Sequence, residues 1–246
     1  MVIENIKRLA KESKIFIIAL TLLVITLSWM YFLVFFTKGV VYDEVFLKKE
    51  VIGADTHYIG KGRWGQIHIT VKGIKGIHDN IEVIYRLPNN IVEKYEVGFE
   101  KNNEDFREKV VIKDINNNII FEGRYREGDI FLFDKNEEPF IEGIGHIIIN
   151  DQNPYKSDYK IYLKSVVSFA SGEGEQIRGD VRLLVISIFL IIITVIDIKY
   201  PLFFFRLRHS LSVENPEPSD FYITMQRISW CISPIIILIG LLAAIF

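Results

Sequence analysis

Apolar and polar positions divide the chain into two regimes. Residues 15–36, 181–200 and 228–246 are long apolar runs, whereas 37–180 alternates between apolar and polar positions with frequent turn residues. The first run has 22 residues without a charge, about 33 Å as a helix, enough to cross a hydrocarbon core. Lys7, Arg8, Lys11 and Lys14 precede it, as they would a cleaved leader. The run is longer than a leader core, however, and ends in bulky residues (Trp29, Met30, Tyr31, Phe32, Phe35, Phe36) with no small-x-small cleavage site after them. The pattern predicts an uncleaved signal-anchor helix.

The second run reaches across only if Arg182 and Lys199 snorkel to opposite interfaces, because its charge-free stretch, 183–196, is about 21 Å long as a helix. Asp197 lies near its end. The expectation is an interfacial carboxylate beside Lys199, with an ion or proton site as the sharper alternative. Pro201 ends the helix, and 202–211 reads as an interfacial segment in which Phe203, Phe204 and Phe205 embed while Arg206 and Arg208 meet headgroups. Ser219 and Asp220 then form a helix-start signal, predicting a helix from Asp220 onward through Pro234.

The short flanks orient these spans. Residues 1–14 carry four Lys/Arg against two acids, and 199–227 carries Lys199, Arg206, Arg208 and Arg227. The positive-inside rule keeps both segments cytoplasmic and puts 37–180 outside. The expected organisation is a cytoplasmic basic N-terminus (1–14), a transmembrane signal-anchor (15–36), an extracytoplasmic β domain (37–180), a transmembrane helix (181–200), a cytoplasmic loop with an interfacial segment (201–227) and a transmembrane helix (228–246). The expected location is the cell membrane, multi-pass.

The outer block is long enough for one domain with its own core. At 66–72, Ile67, Ile69 and Val71 face one way and Gln66, His68 and Thr70 the other. Further strands are expected at 81–87, 91–99, 106–113, 119–125, 130–134, 145–150 and 159–170. Residues 40–53 fit a strand or a short helix. Turn clusters at 75–80, 88–90, 101–105, 116–118, 135–139 and 150–157 recur at the interval of a β-sandwich or barrel, so a β-rich, sandwich- or barrel-like domain is expected. There is also an internal echo: Asp114-x-Asn116 followed by Ile119–Gly123 resembles Asp134-x-Asn136 followed by Pro139–Gly143. It predicts two hairpins that turn on Asp/Asn clusters.

Charge and cysteine usage narrow the function. The chain has 29 Lys/Arg and 31 Asp/Glu, and the outer block 20 against 25. Nucleic acid therefore has no electrostatic footprint here and is not an expected partner. The single cysteine, Cys231, falls in the third span, so the outer block holds no disulfide. That absence and about forty Ile against six Ala suit a bacterial envelope protein.

The chemical motifs are weak. Asp114-x-Asn116-x-Asn118 opens like a calcium loop, but Ile119 stands at the central glycine position and Tyr125 at the terminal glutamate position. A non-standard calcium site with Asp134 and Asn136 is the weaker alternative to plain turns, and no cofactor is expected. Gly60-Lys61-Gly62-Arg63-Trp64-Gly65 matches GxGxxG, but an alternating strand follows it where a dinucleotide site, set between a strand and a helix, needs the helix. It reads as a turn with an exposed aromatic, and Arg63 and Trp64 are the best guess for a ligand contact. His57, His68, His78 and His146 lack metal-ligand spacing, and His68 is expected to be exposed. No nucleophile elbow or paired-acid motif stands out.

The segment Glu217-Pro218-Ser219-Asp220-Phe221-Tyr222, followed by Arg227-Ile228 and preceded by Pro201, resembles a signature of an uncharacterised bacterial membrane-protein family, with an EPSD-x-Y…R-I segment before its last span. Ser229 and Trp230 replace the small Gly pair usual after Arg-Ile. The resemblance covers about the last 50 residues and implies no activity. The expected function is a non-enzymatic, membrane-anchored envelope protein whose outer domain binds a protein, cell-wall component or small ligand. The alternatives are an accessory subunit of a transport or secretion complex, with another membrane protein as partner besides the lipid bilayer, and an extracytoplasmic hydrolase.

Overall fold

The structure is a computed structural model that describes residues 2–73, 75, 80–100, 107–142, 153–156, 158–209 and 217–245. The expected strand at 145–150, the histidines His78 and His146, the turn cluster at 101–105 and parts of those at 75–80 and 150–157 lie outside the described residues. The chain divides into two compact units, Lys38–Gln176 and a second made of Met1–Thr37 with Ile177–Phe246.

Among its described residues, the first unit is a β meander with one α-helix. Strands β1 (Lys38–Tyr42), β2 (Val45–Ile52), β3 (Asp55–Gly62), β4 (Gly65–Lys72), β5 (Asn80–Leu87), β6 (Ile91–Glu100), β7 (Glu108–Lys113), β8 (Ile119–Tyr125), β9 (Leu132–Phe133) and β10 (Pro139–Phe140) pair antiparallel with their sequence neighbours. Helix α2 (Leu163–Ser171) follows, and β11 (Gln176–Ile177) then returns to lie beside β1. All eleven belong to a single sheet, and among the described residues a helix, rather than the second sheet of a sandwich, packs on it.

Period-2 alternation builds the buried face. Ile67, Ile69 and Val71 of β4, Ile81, Val83, Tyr85 and Leu87 of β5, and Val110 and Ile112 of β7 are all buried, with partly exposed residues between most of them. Residues 159–170, expected as a strand, contain α2 instead. Leu163, Val166, Val167 and Ala170 recur at i, i+3, i+4 and i+7, the spacing of one helix face. That face packs on the sheet, where the Phe169 ring lies 5.1 to 5.9 Å from those of Tyr58, Tyr42 and Tyr85. Residues 40–53 resolve into the β1–β2 hairpin, whose turn residues Asp43 and Glu44 both have positive φ, as a two-residue type I′ turn requires.

The sheet curls around α2. Tyr42 of β1 touches Phe169, while Tyr125 of β8 hydrogen-bonds through its hydroxyl to that of Ser171 at 2.9 Å. Seven strand spacings separate β1 from β8, about 34 Å if flat, yet both reach one nine-residue helix about 13 Å long. Only a strongly coiled sheet satisfies both distances.

The Asp/Asn echo is two equivalent turns. In β7–β8, Asp114 Oδ1 accepts from the backbone N–H of Asn116 and Asn118, and Asn117 has φ 63°. In β9–β10, Asp134 Oδ1 accepts from Asn136 and Glu138, and Glu137 has φ 67°. Each is an Asx-type turn closed by one left-handed residue.

The second unit contains α1 (Val2–Phe35), α3 (Val181–Lys199), α4 (Phe203–His209) and α5 (Asp220–Ala243). Among the described residues, α3 and α5 are long and apolar enough to cross a membrane, and α1 contributes a shorter apolar stretch, Thr21–Phe35. Asp180 caps α3 by accepting from Arg182 and Leu183, and Ser219 caps α5 by accepting from Tyr222 at 3.2 Å. The Asp180 N–H donates to the Ala244 carbonyl, and an added Cβ on Gly240 would stand 2.7 Å from Ser187 Oγ. At the opposite end Asp197 meets Gln226 and Trp230, so α3 and α5 run antiparallel in close contact.

Candidate ligand-binding cleft

The coiled sheet leaves an open cleft of about 740 Å³ along α2. One wall is β1 (Val40, Val41, Tyr42). The other is the β8–β9 connection (Gly128, Asp129, Ile130, Phe131, Leu132) with Phe140, Ile141 and Glu142. Tyr162, Lys164, Ser165, Ser168 and Phe169 of α2, with Glu173, Gly174 and Gln176, complete it. The volume lies within the range of small-molecule sites.

The rim is apolar and wet. Ile130 is 80% exposed and Ile141 75%, with Val41, Phe131 and Tyr162 also exposed. Large aliphatic groups gathered at the mouth of one cleft differ from scattered surface residues, because together they form a surface that gains by being covered.

The polar groups inside are held in place. Gly172 ends α2 in a left-handed conformation (φ 75°), and the N–H groups of Gly172 and Glu173 bond back to Phe169 and Ser168. This turn swings Glu173 into the cleft. Its carboxylate accepts from Lys164 Nζ at 2.6 Å, Ser168 Oγ at 2.9 Å, Tyr125 Oη at 3.0 Å and the Gly128 N–H at 2.6 Å. Burial pushes the Glu173 pKa upward, but these donors outweigh it and hold the carboxyl below its ordinary value. Lys164 lies 3.2 Å from Ser168 Oγ, the separation of a serine–lysine pair. The same nitrogen also donates to the Glu173 carboxylate at 2.6 Å, so it is already engaged by an acid.

Glu142 sits at the other end of α2. Tyr162, the N-cap residue, has no side-chain oxygen aimed at the first turn, and Glu142 Oε1 accepts the Leu163 N–H at 2.6 Å in its place. Burial raises the Glu142 pKa, against the lowering effect of this backbone bond and one from Lys164. Asp129 is tied to Arg107 and Arg126.

The residues singled out in the sequence lie elsewhere. Arg63 and Trp64 form the two-residue β3–β4 turn, with Trp64 half-buried against the core and the Arg63 guanidinium 5.0 Å from its ring centroid. Neither lines the cleft. Asp114 spends Oδ1 on its own turn and Oδ2 on Asn118 Nδ2. Among the described residues no three His, Cys, Asp or Glu side chains converge as a metal cluster. His68, expected to be exposed, is half-buried and 3.1 Å from His57.

Asp197, expected as a carboxylate beside Lys199, has two partners on the facing helix. It turns into the α3–α5 contact, where Oδ1 accepts from Gln226 Nε2 at 2.8 Å and Oδ2 from Trp230 Nε1 at 2.6 Å. Of the signature residues, Ser219 and Asp220 begin α5, which carries Tyr222 and Arg227, while Glu217 and Pro218 precede it. The Tyr222 ring lies 4.9 Å from that of Phe205 in α4.

The cleft could not be read from sequence, because its walls come from residues up to 136 positions apart (Val40 to Gln176) and no motif joins them. One signal was present. Leu163, Val166, Val167 and Ala170 mark the buried helix face, and therefore place Lys164 and Ser168 off that face.

A family of unknown function, DUF6199, matches residues 186–246, which include Ser187, Asp197, Gln226, Trp230 and Gly240. No curated protein and no solved structure matches the chain.

Proposed function

We propose that this chain is a multi-pass, non-enzymatic envelope protein whose β unit takes up a small amphiphilic molecule in the cleft along α2. The observation that carries this reading is the combination of an exposed aliphatic rim with polar groups already hydrogen-bonded to one another. Such a site rewards apolar contact and orients a polar end, and leaves no activated nucleophile for hydrolysis. Three spans, α1, α3 and α5, hold the protein in the membrane, with residues 1–14 and 201–227 cytoplasmic and 37–180 outside. The lengths of α3 and α5 and the basic flanks support this arrangement.

The test is photolabelling of the full chain in detergent micelles with a diazirine-bearing fatty acid, followed by peptide mapping. Adducts on 128–142 and 162–176 are expected, and Ile130→Asp with Ile141→Asp should remove them. Labelling confined to α1, α3 and α5 would refute the reading.

A second reading, an accessory subunit of a membrane complex, draws on the α3–α5 pair. The polar clamp at Asp197 and the close approach at Gly240 both lie inside the segment matched by the family. Replacing α3 and α5 by unrelated spans separates the two readings: ligand uptake survives under the first, and co-purification of a membrane partner is lost under the second.

A further inference from the structure

On the face of the sheet opposite α2, the β3–β4 hairpin assembles three donor atoms that no sequence spacing announced. His57 stands across from Thr70, and His68 is two residues along the same strand. Their neighbours Tyr58, Ile67 and Ile69 are buried in the core, Tyr58 against Phe169 of α2, so both histidines and the buried Thr70 lie on the opposite face of the sheet. His57 Nδ1 lies 3.1 Å from His68 Nε2 and 3.2 Å from Thr70 Oγ1, and His68 Nε2 lies 3.3 Å from the same hydroxyl.

These three atoms form a nearly equilateral triangle. A tetrahedral ion with bonds of about 2.0 Å has donor atoms about 3.3 Å apart, so the triangle has the dimensions of one face of such a site. Imidazole nitrogen suits Cu(II) and Zn(II), and the hydroxyl can bind weakly or hold a metal-bound water. Charge comes from β2, where Glu50 pairs directly with His57 in the ladder. Its carboxylate now bonds Lys48 at 2.9 Å, and both groups are exposed enough to part. The Lys48 bond, together with the nearby His57 and His68, holds the Glu50 carboxyl below its usual value. Arg86 of β5 faces the site from the other side, its guanidinium 3.5 Å from Thr70 Oγ1, and offers no lone pair.

We propose that His57 and His68, supported by Thr70 and completed by Glu50, bind one divalent transition-metal ion, Cu(II) or Zn(II), on the outer face of the sheet. The site is independent of the cleft and of any ligand there. Binding needs only small ring rotations, which turn the two nitrogens from each other toward a common point, and the swing of Glu50 from Lys48.

The experiment is titration of the untagged full chain in detergent micelles with CuCl2 and ZnCl2, by calorimetry and Cu(II) electron paramagnetic resonance. One equivalent should bind, with hyperfine structure from two nitrogens. The double variant His57→Asn, His68→Asn should weaken binding at least tenfold, and Glu50→Gln should weaken it less. Absence of binding at 100 µM metal overturns the proposal, as does binding that the double variant leaves intact. Should that variant fail to fold, the nitrogen count in the unaltered protein decides: two support the site, and fewer refute it.

Discussion

The Trp230 indole N–H donates to the Asp197 carboxylate at 2.6 Å, linking the last turns of α3 to the first turns of α5. Gln226 Nε2 donates to the other carboxylate oxygen, so one acid satisfies two donors from the facing helix. Removing the acid strands both donors between apolar helices, where interhelical hydrogen bonds are worth about 0.6 to 2 kcal/mol. Asp197→Ala should therefore destabilise the α3–α5 pair by about 1–3 kcal/mol, and Trp230→Phe by about half as much. The check is a double-mutant cycle on unfolding in detergent: a coupling near zero would show that the contact carries no energy.

Phe169 sits among Tyr42, Tyr58 and Tyr85 with only 4% of its surface exposed. Truncation to alanine leaves a cavity between helix and sheet. The expected cost is about 3–5 kcal/mol, against less than about 1.5 kcal/mol for Phe169→Leu, measured by chemical unfolding of the full chain.

Glu142 gives a pH signature. Its folded pKa lies above the unfolded value, so its favourable contribution is present below the unfolded pKa and lost as pH rises through the folded pKa. Glu142→Gln keeps an acceptor for the Leu163 N–H and removes the titration. The Tm of the variant relative to the parent should be more favourable at pH 8 than at pH 4. A difference that does not change with pH would refute the assignment.

Glu173 has the opposite sign. Its folded pKa is lowered, so its contribution is present above the unfolded pKa and lost as pH falls through the folded pKa. Lys164→Met removes the cationic donor and leaves Ser168, Tyr125 and Gly128. The acid-unfolding midpoint should move to higher pH, followed by tyrosine fluorescence and circular dichroism.

Asn136 is an exposed residue in the β9–β10 turn and suits a topology probe. In a Cys231→Ser background, Asn136→Cys should react with a membrane-impermeant maleimide on intact cells. Reaction only after lysis would reverse the proposed orientation.

Strands with strict alternation were legible in the sequence. The reading of β5, β6 and β8 from pattern falls within one residue of the observed bounds, because apolar residues recur at alternate positions along most of each strand. The Asp114 and Asp134 turns were legible for a local reason, since an Asx turn is made by its own residues. Helix α2 was misread because its short apolar run fits either period until the i, i+3, i+4, i+7 spacing is counted. The His57–His68 approach depends on the Gly62–Gly65 closure of the β3–β4 hairpin, which sets 57 opposite 70. Asp197 required knowing that α3 and α5 lie antiparallel, and no single-helix pattern carries that information.

The sheet order has a kinetic consequence. Ten strands pair in turn with their immediate sequence neighbours, so each new pair closes a short loop at small entropic cost. Strand β11 is different: Gln176 must find β1, which left the chain's growing end more than 130 residues earlier. The meander should therefore zip up progressively while the chain is being made, and the curled sheet should wait for α2 and β11 as its final closure. Until then β1 is an unpaired edge and the inner face of the sheet lies bare, a window in which this protein is most exposed to aggregation and proteolysis.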